Sequence, residues 1–267
     1  MKEIFDFKRF GKYFTSDLRS CVASYGSSLA LICLLGTIMY IGTILMGLLL
    51  HDTWGGPEIE FRKSVFWFSM FLLAVTMPVK CYGRLTEKNV GSQWLMIPSS
   101  KLEKFLSMVL MTVLVTPVTV IGVSFGLDAF LCAVDPTCGY SIVRAFISPE
   151  VLATAYENST PDFGQNMNSI ILLALSFLLG AIFFKGSKTV RTFMVLFAVV
   201  AVAMILVMSV TFNEINLFEL IENEDVAEDI TIENIFGRYG FLHVIGCIFP
   251  YAFLLAGIFF RIKTLKH

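Results

Sequence analysis

The chain predicts an all-α polytopic membrane protein: an N-terminal interfacial helix plus six transmembrane helices, with both termini cytoplasmic. Three observations lead there. Of 267 residues, 56% are hydrophobic and 15% charged, with a mean hydropathy of +0.76, which is too apolar for a soluble domain. The apolar residues fall in blocks of about 20, the length a helix needs to cross the hydrocarbon core. Between those blocks the charges sort by sign. With the N-terminus cytoplasmic and six spans, sixteen of the twenty Lys and Arg residues fall inside and sixteen of the twenty-one Asp and Glu residues fall outside. That partition follows the positive-inside rule and argues against an odd number of spans.

The elements follow in order. Residues 1–20 place Ile4, Phe7, Phe10, Phe14 and Leu18 at spacings of three and four, with Lys8, Arg9, Lys12 and Asp17 on other faces. This is the pattern of a helix lying on an anionic membrane surface; a frayed basic tail is the alternative. Residues 29–50 form the first span. It is too long for a signal h-region and is followed by His51, Asp52 and Trp54, not by a small-residue cleavage pattern, so it is expected to stay in the mature chain. The second span, 64–82, is short and recruits flanking aromatics, whereas the third, 105–133, is long and carries Pro117 and Asp128. An outer segment, 134–167, contains Pro136, Pro149 and Pro161, and Ile142–Tyr156 reads either as a helix or as part of a floppy loop. Spans follow at 168–185, 190–212 and 240–260. Between the last two, residues 213–239 set eight acidic residues against Arg238 alone. Leaving Leu217, Phe218, Leu220 and Ile221 in water would cost about 1.5–3 kcal/mol each. They are therefore outer gate candidates on short helices, with a solvated acidic loop as the alternative.

What the spans lack narrows the chemistry. Ion-coupled carriers hold ionisable residues at membrane depth to bind the coupling ion. Here the nearest are Asp128, close to the outer end of its span, and His243, close to the start of the last one. No HExxH, paired intramembrane aspartates or G-x-S-x-G is present, and Gly180–Lys188 lacks the spacing of a phosphate loop. No catalytic, cofactor or metal residues are therefore expected, and any energy for work must come from another chain. The six cysteines show no C-x-x-C pattern; Cys132 and Cys138 read equally as a disulfide or as two thiols. Asn158-Ser159-Thr160 matches a glycosylation sequon, with nothing else pointing to that use.

The polar stretch Lys80–Phe105 is where a soluble partner would dock. Ser100 with Glu103 three residues on is a capping box, Pro98 fixes the chain direction before it, and Trp94 favours the headgroup zone. This spacing predicts a short helix parallel to the membrane and a sharp turn into the third span. A plain inner loop that only sets topology is the alternative.

Ser92–Ser107, SQWLMIPSSKLEKFLS, resembles the segment leading into the third helix of permeases of the ABC-2 type, in their Bacteroidetes-like small six-helix form. Trp94, Leu95, Pro98, Ser100, Glu103, Lys104 and Phe105 carry the likeness. The resemblance implies an exporter subunit in a bacterial cytoplasmic (inner) membrane, without an ATPase of its own. It further implies a second permease copy or a homologous permease, and a separate ABC ATPase subunit that carries the ATP and Mg. The coupling segment would be 86–99, with Glu87, Trp94, Leu95, Pro98, Glu103 and Lys104 as residues coupling to that ATPase. The apolar conduit predicts an amphiphilic or hydrophobic substrate. A non-transporting scaffold or sensor, recruiting a partner through the same loop, is the competing class.

Overall fold

The computed structural model describes residues 5–51, 55–87, 94, 96–147, 163–221 and 249–264. The helices are α1 (Phe7–His51), α2 (Ile59–Tyr82), α3 (Lys101–Leu110), α4 (Thr116–Val134), α5 (Ile142–Ile147), α6 (Phe163–Phe183) and α7 (Lys188–Ile221), followed by α8 over 249–264. No strand occurs among the described residues. Four helical stretches are long and apolar enough to cross a membrane: Phe7–Leu50, Ile59–Thr86, Lys101–Val134 and Phe163–Phe183. The chain is therefore a helical membrane protein. α7 covers the residues expected for the fifth span, 190–212, and α8 overlaps those expected for the sixth, 240–260, from residue 249 on.

α2 is the central helix. Phe66, Met70, Leu73 and Met77 recur at three- and four-residue spacing and are buried, so one stripe of α2 forms the middle of the core. Leu175, Leu178 and Ile182 of α6 pack against that stripe, joined by Met108 of α3, Val120 of α4, and Ile258 and Ile262 of α8. Glycine is needed where α6 meets α7, because a Cβ on Gly180 would collide with the side chain of Thr192. The third span is not a uniform helix. Met111–Val115 widens into a π turn just before Pro117, whose ring and missing N–H break the regular ladder four residues back. The hydroxyl of Thr116 donates to the Met111 carbonyl at 2.6 Å across this turn.

The main departure from expectation is at the N-terminus. Instead of an interfacial helix over 1–20 and a separate span over 29–50, Phe7–His51 is one 45-residue helix. Nothing in Cys21–Ser28 stops a helix except Gly26, a cost of about 1 kcal/mol. Packing offsets it: Tyr25 is 2% exposed and its hydroxyl lies 2.6 Å from the Thr76 hydroxyl of α2. At about 1.5 Å per residue the helix is roughly twice as long as a bilayer core is thick. Its first half therefore extends beyond the apolar stretch, with Phe7 exposed and Phe14 and Leu18 packed on the core. The outer segment is reduced, among the described residues, to a turn and the six-residue α5; the remainder of the predicted Ile142–Tyr156 helix and the 158–160 sequon lie outside the described residues.

Candidate functional site

The strongest cluster of partnered polar groups gathers where the first half of α1 meets the 83–107 segment. α2 runs into a tight turn at Gly83–Thr86, after which Glu87 is extended and exposed. Ser100 caps α3: its hydroxyl accepts from the Glu103 N–H at 3.2 Å, and the Glu103 carboxylate accepts from the Ser100 N–H at 2.9 Å. The predicted capping box is present. Its carboxylate does more than cap. Arg9 Nε donates to Glu103 Oε2 at 2.9 Å, Arg9 Nη2 donates to Oε1 at 2.6 Å, and the Asp6 N–H donates to Oε1 at 3.1 Å. Glu103 has no exposed surface. It lies in the first turn of α3, before the apolar run that starts at Phe105, and so at the end of the bundle. The Arg9 guanidinium holds its carboxyl well below the usual carboxylate range.

Three further contacts continue along the same face of α1. Trp94 Nε1 donates to the Tyr13 hydroxyl at 3.0 Å. Asp17 accepts from Ser107 of α3 at 2.6 Å and from Tyr82 of α2 at 3.1 Å, so one carboxylate joins three helices. Lys104 turns back on the loop, donating to the Trp94 carbonyl at 2.8 Å with its ammonium 4.6 Å from the indole centroid. Positions 9, 13 and 17 are successive turns of α1, and the result is a clamp that ties the loop to α1. On the other side of the loop the Lys188 ammonium at the start of α7 donates to the Gly83 carbonyl, and burial pushes its pKa down.

The clamp redistributes the expected roles. Glu103 and Lys104, expected to couple to the ATPase partner, are 0% and 4% exposed and bond within this chain, so they shape the loop from inside. Trp94 is half-buried for the same reason. Glu87 and Pro98 remain exposed, as a docking surface requires. Leu95 lies outside the described residues. Met96 and Ile97, expected beside the membrane edge and not among the coupling residues, are exposed at 81% and 40%, so Met96–Pro98 forms an apolar tip on a fixed stem. The capping box was the available signal: with 100–104 turned inward, the residues just before it must stand out. Of the gate candidates, Leu217, Phe218, Leu220 and Ile221 continue the α7 helix; their side-chain surroundings, and residues 222–239, lie outside the described residues.

A second polar centre lies at the opposite end of the bundle. Arg62, at the start of α2, and Asp128, in α4, are 5% and 7% exposed and pair at 2.9 Å. Asp128 also accepts from the Ile142 N–H at 2.7 Å, and Arg62 Nη2 donates to the carbonyls of Tyr140 and Cys138 at 2.7 and 3.3 Å. Cys132 and Cys138 are joined by a disulfide, which closes the turn presenting those carbonyls. Tyr40 of α1 donates to Asp135 at 2.7 Å. The sequence placed Asp128 close to the outer end of its span, with no sign of its partner. No cluster of metal-ligating side chains occurs among the described residues. No protein-family model, no curated protein and no solved structure matches this chain.

Proposed function

We propose that this chain is the permease subunit of an ATP-driven exporter of the ABC-2 type, in a bacterial cytoplasmic membrane with its clamp end facing inward. Its substrate is amphiphilic or hydrophobic. The observation that supports the reading best is mechanical. The exposed Met96–Pro98 tip and Glu87 flank a loop fixed to α1 by the Arg9–Glu103 and Tyr13–Trp94 contacts. A push on that tip reaches α1 and the third span together instead of being absorbed by a slack loop, and two helices moved as a unit are what a force-transmitting element needs. ATP and Mg belong to a separate nucleotide-binding subunit that receives the tip, and a second permease copy or a homologous permease completes the path.

Co-purification from membranes of the native host, followed by assay of ATP hydrolysis in the recovered complex, tests the reading. An ABC ATPase subunit should accompany the chain, and Met96→Asp or Glu87→Ala should lower substrate-stimulated hydrolysis several-fold while leaving membrane insertion intact. Recovery of a different soluble partner, with no ATPase, would move the assignment to a non-transporting scaffold or sensor. Unchanged hydrolysis and transport in both variants would remove the tip as the coupling element.

A further inference from the structure

Beneath the Arg62–Asp128 pair, α1, α2 and α4 enclose a cavity of about 30 Å³. Two polar groups line it without a partner among the described residues: the Arg62 Nε–H and the Thr37 hydroxyl. Each atom is buried, and Arg62 as a whole is 5% exposed. A buried donor left unpaired is costly, so two of them in one cavity call for a guest that can bond both. The geometry points to a binding site for the uncharged, oxygen-bearing head of an amphiphile entering from the membrane face of α1 and α2.

Charge selects the head. Arg62 already faces Asp128 at 2.9 Å, and Tyr40, which also lines the cavity, holds Asp135 at 2.7 Å. The one guanidinium is thus already balanced by the Asp128 carboxylate, and a second carboxylate, Asp135, is held by a hydroxyl of the lining. An anionic head would add an uncompensated negative charge beside the Arg62–Asp128 pair in a poorly screened setting, and a cationic head has no lone pair for the Nε–H. A hydroxyl or carbonyl oxygen accepts from Nε and from the Thr37 hydroxyl. Size and surroundings select the rest of the molecule. A cavity of about 30 Å³ admits a small polar head and not an acyl chain. Gly36, Met39 and Phe61 line the same cavity yet are exposed, Met39 and Phe61 at 42% each. The apolar body of the guest therefore lies outside the cavity along Met39 and Phe61, where the solvent is lipid. The site stands apart from the ATPase reading, since it belongs to this chain alone.

The experiment uses the purified full chain in phosphatidylcholine nanodiscs with a photoreactive 1-monoacylglycerol carrying a diazirine in its acyl chain. Saturable labelling is expected on α1 and α2, with the matched free fatty acid competing at least tenfold less well than unlabelled monoacylglycerol. Thr37→Val removes one bonding group without changing volume and should weaken binding about five- to tenfold with no loss of thermal stability. Gly36→Phe should block the mouth and abolish saturable labelling, because no atom lies within 4 Å of a Cβ built there and the chain can still fold. Gly122→Phe, equally unobstructed but outside this cavity, should leave labelling unchanged. Labelling that does not saturate would mean the cavity holds water alone and would overturn the proposal. So would an unchanged affinity in Thr37→Val, or competition by the fatty acid that equals or exceeds that of the monoacylglycerol.

Discussion

A carboxylate with no exposed surface has to be held by donors or it destabilises whatever surrounds it. Glu103 is held by the Arg9 guanidinium and by the backbone N–H groups of Asp6 and Ser100. Because the Arg9 contact lowers its folded-state pKa below the ordinary 4.5, the stabilisation it provides is complete above that value and is lost as pH falls through the folded value. Thermal unfolding in detergent from about pH 6 to about pH 3 should therefore show a loss of stability in the native chain that Glu103→Gln lacks, the variant being the less stable of the two at neutral pH. Equal pH profiles would mean that the Arg9–Glu103 pair does not hold the loop. At this scale the capping box was legible, because its two residues are three apart and their bonds are local. Arg9, 94 residues from Glu103, was not: a basic residue on an amphipathic N-terminal helix looks the same whether it meets lipid phosphate or a buried carboxylate.

Elements behave likewise. The apolar stripes of α2 and α6 could be read from their spacing, and their packing in the core follows from it. The continuity of α1 could not, because a polar half and an apolar half in one helix look like two elements until Tyr25 and Asp17 are seen packed on α2 and α3. The approach of α6 to α7 was equally hidden, since a span glycine carries no sign of what it faces. Gly180→Ala should cost about 1–3 kcal/mol by forcing Thr192 aside, read as a lower unfolding temperature in detergent. Gly122→Ala, which meets nothing within 4 Å, should show no such loss.

For the molecule as a whole, the burial pattern is that of a chain in lipid. In the first candidate span only 17% of the most apolar window is buried, and α7 exposes Val190, Met194, Phe197 and Val199 among others. In the proposed exporter two copies, or one copy and a homologous sister, pair in the membrane to frame the path. Mass measurement of the solubilised, transport-active complex should find two permease chains. A single permease chain with full transport activity would exclude the arrangement.

What the sequence determined by itself is the part set by composition and short spacing: an all-helical membrane protein with several long apolar helices, and the capping box at Ser100. These depend on transfer free energy and on bonds between neighbours in the chain, so they survive without knowledge of the packing. The tertiary structure alone decided which charges pair. It turned Glu103 and Lys104 inward, left Met96–Pro98 exposed, joined Arg62 to Asp128 under the Cys132–Cys138 bridge, and left Arg62 Nε and Thr37 facing a cavity. The Arg9–Glu103 and Arg62–Asp128 pairs depend on residues 94 and 66 positions apart being brought within about 3 Å, and no local pattern records that distance.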